Sequence, residues 1–157
     1  ETAERIYGVV LDAQGKQVDT AATEARRKQI REVRLREAKP PSGKTSSWEG
    51  GSGKGWRTAL RFHAALEIAV DGKVPAIRCS RCGHLFCRAK ENYKLYALHR
   101  VVDLNDFMPY PLPSGERYYG EYHEYFCPGC ATQLQVDLFC PTLGGEPILW
   151  DTRIHMS

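Results

Sequence analysis

Six cysteines stand in this chain, and four of them form two Cys-x-x-Cys pairs: Cys79 with Cys82, and Cys127 with Cys130. Thiolates are soft ligands, and two of them spaced this way can face one ion across a tight turn. Two such turns side by side close a tetrahedron in which each Zn–S bond is about 2.3 Å long. The halves read Cys79-Ser80-Arg81-Cys82-Gly83 and Cys127-Pro128-Gly129-Cys130-Ala131, with 44 residues between the pairs. Gly83 follows the first pair, where the backbone often has to reverse, and Gly129 lies inside the second turn. The pattern is that of a zinc ribbon with an insertion, and it predicts Cys79, Cys82, Cys127 and Cys130 as ligands of one structural zinc ion. Four thiolates close the shell and leave no place for water, so a hydrolytic metal is not expected.

Other residues compete for these roles. Cys87 and His84 lie close enough to the first pair to replace a ligand. Otherwise Cys87 is a small buried apolar side chain, and Cys140, before Pro141, packs. His63, His99, His123 and His155 stand apart from one another in sequence and read as structural. A redox Cys-x-x-Cys opens a helix in a thioredoxin-like fold, a context neither pair has. A disulfide framework would leave the cysteine-free first 78 residues unstapled, so a reducing cytoplasm is expected.

Strands must hold the two turns. Ala59 to Val70 alternates apolar and polar residues and reads as one half-buried strand. Asp71-Gly72 is a hairpin turn, and Lys73 to Cys79 returns as a second strand. Tyr118 to Phe126 leads into the second pair, and Thr132 to Phe139 leaves it. Upstream, residues 5–12 read as a short strand, and Asp19 or Thr20 caps a helix running to about Ala38. That helix has a thin apolar stripe of Ala22, Ala25, Ile30 and Val33, so it needs something to lie against. Residues 39–56 hold two prolines, five glycines and four serines. The expected class is α+β: a small antiparallel sheet built on a zinc ribbon, with a strand-helix arm. Its parts are an arm at 1–39, a linker at 40–58 and a β domain at 59–157.

Composition limits the function. The chain has 157 residues, 42% of them hydrophobic, which suffices for one modest domain and an arm. A net charge of +3 is too mild to argue for nucleic acid, and acids interrupt the basic run Arg26 to Arg36. No apolar run reaches the roughly 18 residues of a membrane span, and no secretory segment is visible. The chain begins at Glu1 rather than methionine, which leaves room for a removed leader. Ser42-Gly43-Lys44-Thr45 imitates the end of a phosphate loop, but Ala38 stands where the first glycine belongs. Gly53-Lys54 is followed by Gly55 and has Trp48 at the first-glycine position. ATP binding by this chain alone is not expected.

The run Cys82-Gly83-His84-Leu85-Phe86-Cys87, then Lys90-Glu91-Asn92-Tyr93-Lys94-Leu95, resembles the small gamma subunits of acetone and acetophenone carboxylases. Glu124-Tyr125-Phe126-Cys127-Pro128-Gly129-Cys130 is similar to the second half of that family. In the arm, Tyr7 to Asp12, Val18-Asp19, Ala22-Thr23 and Arg26 are similar to the C-terminal tail of hydantoinase B-type subunits. That combination looks more like the acetophenone-type enzyme than the acetone-type. The resemblance implies a structural zinc-binding subunit of an ATP-dependent ketone carboxylase, a ligase forming a C–C bond. It implies a cytoplasmic hetero-oligomer with large hydantoinase A/B-like subunits, which would carry ATP, a divalent metal and the catalytic residues. Lys90 to Leu98 and Phe107 to Tyr122 would then be docking surface. The alternative is a stand-alone zinc-ribbon module that binds protein or nucleic acid, the latter through Arg78, Arg81, Arg88, Lys90 and Lys94.

Overall fold

A computed structural model describes residues 2–48, 55–72, 74–108, 110–150 and 152–153. The chain divides into two compact units, Glu1–Glu37 and Ala38–Ser157.

The first unit pairs helix α1 (Thr2–Tyr7) with helix α2 (Thr20–Glu37). A strand was expected over 5–12, but the chain is helical to Tyr7 and makes only one bridge, Leu11 to Val18. Val9, Val10 and Leu11 have strand-forming side chains, but among the described residues no neighbouring strand completes a ladder. Instead, Val10 donates its N–H to the Thr23 hydroxyl at 2.9 Å. Gly8 ends α1 with φ +62°, and a Cβ there would meet Arg27 Cγ at 2.9 Å. Asp19 caps α2 as expected, its Oδ1 accepting the Ala22 N–H at 2.9 Å. Along α2 only Thr23 is buried, and Ala25 of the expected stripe is exposed.

The second unit is antiparallel throughout, as expected, but it holds two sheets. The first has the order β1 (Arg57–Arg61), β2 (Leu66–Val70), β3 (Pro75–Cys79) and β4 (Leu85–Arg88). The second consists of β5 (Leu98–Asp103), β6 (Glu121–Phe126) and β7 (Gln133–Phe139). The single strand expected from Ala59 to Val70 folds back on itself, with Arg61 facing Glu67 and Thr58 facing Ala69. The turn lacks glycine and proline. Its backbone is satisfied locally, with Ala65 N–H donated to His63 Nδ1 at 3.1 Å and His63 N–H to the Leu66 carbonyl. Strand β1 is exposed along its length, whereas β2 is covered on both faces. This burial of β2 includes Glu67, which is held by Arg78 Nε at 2.8 Å and by Arg61. Gly72 turns the next hairpin with φ +100°.

Tyr93–Tyr96 forms a single 3-10 turn that ties the sheets together. Tyr93 packs edge-on against Phe86 of β4, and Lys94 reaches Asp137 of β7. Lys90 to Leu98 is therefore not a docking surface as a whole: Tyr93, Lys94, Ala97 and Leu98 are buried. Within Phe107 to Tyr122, Tyr110 and Tyr119 are exposed. The stretch 39–48 is hydrogen-bonded along this unit. Lys39 bridges His99, Ser42 N–H reaches the Leu95 carbonyl, and Ser47 N–H reaches the Phe86 carbonyl at 2.8 Å. The principal core gathers Leu66, Ile68, Ile77, Phe86, Tyr93, Tyr125 and Leu134 around Cys79, Cys87 and Cys127. Full burial of each large apolar side chain there contributes about 1.5–3 kcal/mol.

Candidate metal centre

Strand β3 delivers Cys79 at its last residue, and β4 resumes at Leu85. Between them Gly83 N–H bonds the Cys79 carbonyl at 2.9 Å, and Cys79 N–H bonds the His84 carbonyl at 2.8 Å. The second turn repeats this geometry. Ala131 N–H bonds the Cys127 carbonyl at 2.8 Å, and Cys127 N–H bonds the Thr132 carbonyl at 2.9 Å. Gly83 and Ala131 occupy matching places, both left-handed, with φ of +79° and +54°. Gly129 is required for a different reason: a Cβ there would lie 2.9 Å from Cys82 Sγ.

The four sulfurs lie within 4.8 Å of one another and form a set able to hold a metal ion. A tetrahedron with Zn–S bonds of about 2.3 Å has S···S edges of about 3.8 Å. Cys79 and Cys130 are separated by 3.9 Å, and Cys82 and Cys127 by 3.6 Å. Both of these contacts run between the knuckles. Sulfurs this close do not all ionise unaided. The Cys127 thiol holds Cys79 down to about 5 by hydrogen bonding to it, and the same bond raises Cys127. Burial, foremost, pushes Cys82 up to about 11. Backbone amides of Arg81 and Cys82 face the Cys79 sulfur, that of His84 faces Cys82, and that of Gly129 faces Cys127. Such amides favour thiolate, and a shared dication would remove the remaining conflict. The donor set thus fits zinc.

His84 and Cys87 lie outside this cluster. His84 Nε2 is 3.0 Å from the Thr45 carbonyl, and its ring stands edge-on to Phe86. Cys87 faces the Glu91 carbonyl at 3.9 Å, and burial pushes its thiol up. Cys140 is half-buried beside the Thr142 hydroxyl at 3.1 Å. His155 and Gly53-Lys54 lie outside the described residues.

His99 and His123 prove not to be isolated. His99 Nε2 lies 3.1 Å from His123 Nδ1, His99 stacks on Tyr125, and His123 Nε2 reaches Glu121 at 3.3 Å. Beside them Lys94, with no exposed surface, holds Asp137 at 2.7 Å. The missing signal was β5: without that strand in place, no register could bring His99 to β6. Arg78 and Lys94, both in the basic set available for phosphates, are engaged by Glu67 and Asp137.

Paired cysteine knuckles, each at the tip of an antiparallel hairpin, bring four sulfurs into a cluster of the kind that could form a zinc-ribbon site. Residues 59–157 match the family described as acetone carboxylase gamma subunit, and the chain belongs to that family. The family is one of subunits of a carboxylase complex. A search of curated proteins finds no match. Among the described residues, no helix is long and apolar enough to cross a membrane.

Proposed function

We propose that this chain is the structural, zinc-bearing small subunit of an ATP-dependent ketone carboxylase of the acetophenone type. Cys79, Cys82, Cys127 and Cys130 are its metal ligands, and no catalytic residue is assigned to the chain itself. The bound ion supplies a rigid tetrahedral cross-link between knuckles and no reactive position. The knuckle amides favour the charged form of the sulfurs they face, while Cys79 and Cys127 fix the cross-link against the core. The enzyme it serves joins a ketone and bicarbonate at the expense of ATP. The nucleotide, any further divalent metal and the substrate belong to large hydantoinase A/B-like subunits in the cytoplasm. In this reading residues 1–39 form a docking arm, 40–58 a linker and 59–157 the zinc domain.

The observation that carries the reading is the family match together with a cysteine set whose spacing fits a closed tetrahedral shell. Its test is native purification from the source cell without tagging a partner, followed by mass spectrometry of the intact assembly and elemental analysis. Co-elution with two or more large proteins and about one zinc per copy of this chain is the expected result. Recovery of the 17.7 kDa chain alone would overturn it.

A further inference from the structure

Residues paired directly across the strands β5, β6 and β7 share a face of that sheet. One face carries His99, His123, Tyr125 and Asp137, and the last three of these are buried. The other face is built of three rows: Leu98 with Phe126, Arg100 with Glu124 and Val136, and Val102 with Tyr122 and Leu138. An antiparallel sheet with one solvated face normally turns its polar residues to water. Here histidine and aspartate point into the protein, while valine, tyrosine and leucine point out of it. The Leu98–Phe126 row is closed by Ala38, and all three residues are buried. Past that row the cover is lost: Val136 is 41% exposed and Leu138 63%, with Val102 and Tyr122 half-buried. The two charges in these rows also satisfy each other. Arg100 Nε donates to one Glu124 oxygen at 2.8 Å, and Gln133 donates to the other at 3.4 Å. Whatever covers this face therefore needs to bring no charge of either sign.

We propose that Val102, Tyr122, Val136 and Leu138 form the docking face for another subunit of the carboxylase complex, one that presents an apolar, uncharged surface. The proposal rests on the subunit reading above: membership of a family of complex subunits supplies a partner, and the inverted sheet supplies the place where it sits. Removal of apolar surface from water drives the association, with Tyr122 as an aromatic anchor of the kind that dominates interface energetics. Attraction between net charges has no part in it, so the contact is insensitive to salt. An acidic partner or a nucleic acid held by basic side chains would be lost as salt rises.

The experiment begins with the untagged assembly purified at low salt and compares it with the free full-length chain. Both are oxidised with hydroxyl radicals, and the modified side chains are read by peptide mass spectrometry. Tyr122, Val136 and Leu138 are expected to be oxidised in the free chain and protected in the assembly. The assembly is expected to keep this chain on a sizing column in about 1 M salt, where the Debye length is about 3 Å. Two variants are then compared in the source cell. Leu138→Lys, at a largely exposed position, should leave the urea midpoint of the free chain unchanged and weaken its association about tenfold or more. Leu60→Lys, at a site 55% exposed on β1 of the other sheet, should stay in the assembly. An intact assembly in which Tyr122, Val136 and Leu138 stay reactive overturns this proposal and leaves the subunit reading standing. Loss of association with Leu60→Lys but not with Leu138→Lys does the same. Release of the chain by salt overturns the uncharged contact. A free chain that forms a dimer of itself with these side chains protected assigns the face to a second copy and overturns the partner. Recovery of the chain alone at low salt overturns the subunit reading and this proposal together.

Discussion

Gly83 and Ala131 hold matching places in the two knuckles, yet only one of them is glycine. A side chain in the left-handed region costs about 1–2 kcal/mol, and the knuckle around Ala131 bears that cost. At Gly83 a new methyl would meet nothing within 4 Å. Gly83→Ala is therefore expected to fold and to weaken zinc binding about five- to tenfold in competition with a chelating dye, the equivalent of about 1 kcal/mol. A loss beyond a hundredfold would show that Gly83 does more than supply a backbone angle. Lys94 makes a different kind of demand. Its ammonium and the Asp137 carboxylate are both removed from water, 2.7 Å apart. Lys94→Ala leaves a carboxylate buried without its cation and should cost about 3–5 kcal/mol in urea unfolding. The double change Lys94→Met with Asp137→Leu should recover most of that, since a buried pair replaced by apolar groups is often neutral. The cysteines could be found in the sequence because a knuckle is a local turn with ligands three residues apart. Lys94 and Asp137 are 43 residues apart, and only the packing of a 3-10 turn onto β7 brings them together.

Strands with a glycine turn and alternating faces were readable at the level of the element. The Asp71-Gly72 hairpin and the strands entering and leaving the second knuckle lie within a few residues of their expected places. The fold-back at 62–65 was not readable, because its turn uses a histidine ring and backbone carbonyls in place of glycine. Nor was β5, which starts at Leu98, just past the 3-10 turn, in a segment for which the sequence offered no strand signal. That strand carries a pH dependence of its own. Burial, then His123, lowers the pKa of His99, with Asp137 and Glu121 opposing. Lys94 also lies in this cluster, over the Tyr125 ring. A neutral His99 favours the folded state, so in the relevant range the unfolded chain binds more protons. Its contribution is complete above about pH 6.5 and is lost as pH falls through the depressed value. The urea midpoint should drop between pH 7 and pH 5.5, and His99→Gln should flatten that slope. Unchanged slope in the variant would place the acid sensitivity elsewhere.

Across the whole molecule, the two knuckles belong to different sheets: Cys79 ends β3 and Cys82 follows it, whereas Cys127 and Cys130 sit between β6 and β7. The family match covers 59–157 and so takes in both sheets except Arg57 and Thr58 at the start of β1. Between the knuckles the chain runs out through Tyr110 and Tyr119, both well exposed, before returning to β6. A protease that cuts among residues 111–119 severs the only covalent path from one knuckle to the other. The nicked protein should nonetheless elute as one particle, its two pieces clasped by a single ion and the side chains packed around it. A strong chelator should then part the pieces on a sizing column, while the uncut chain treated alike stays whole. On the zinc reading proposed above, backbone continuity and metal ligation are two redundant fasteners, and either should hold the halves in register when the other is gone.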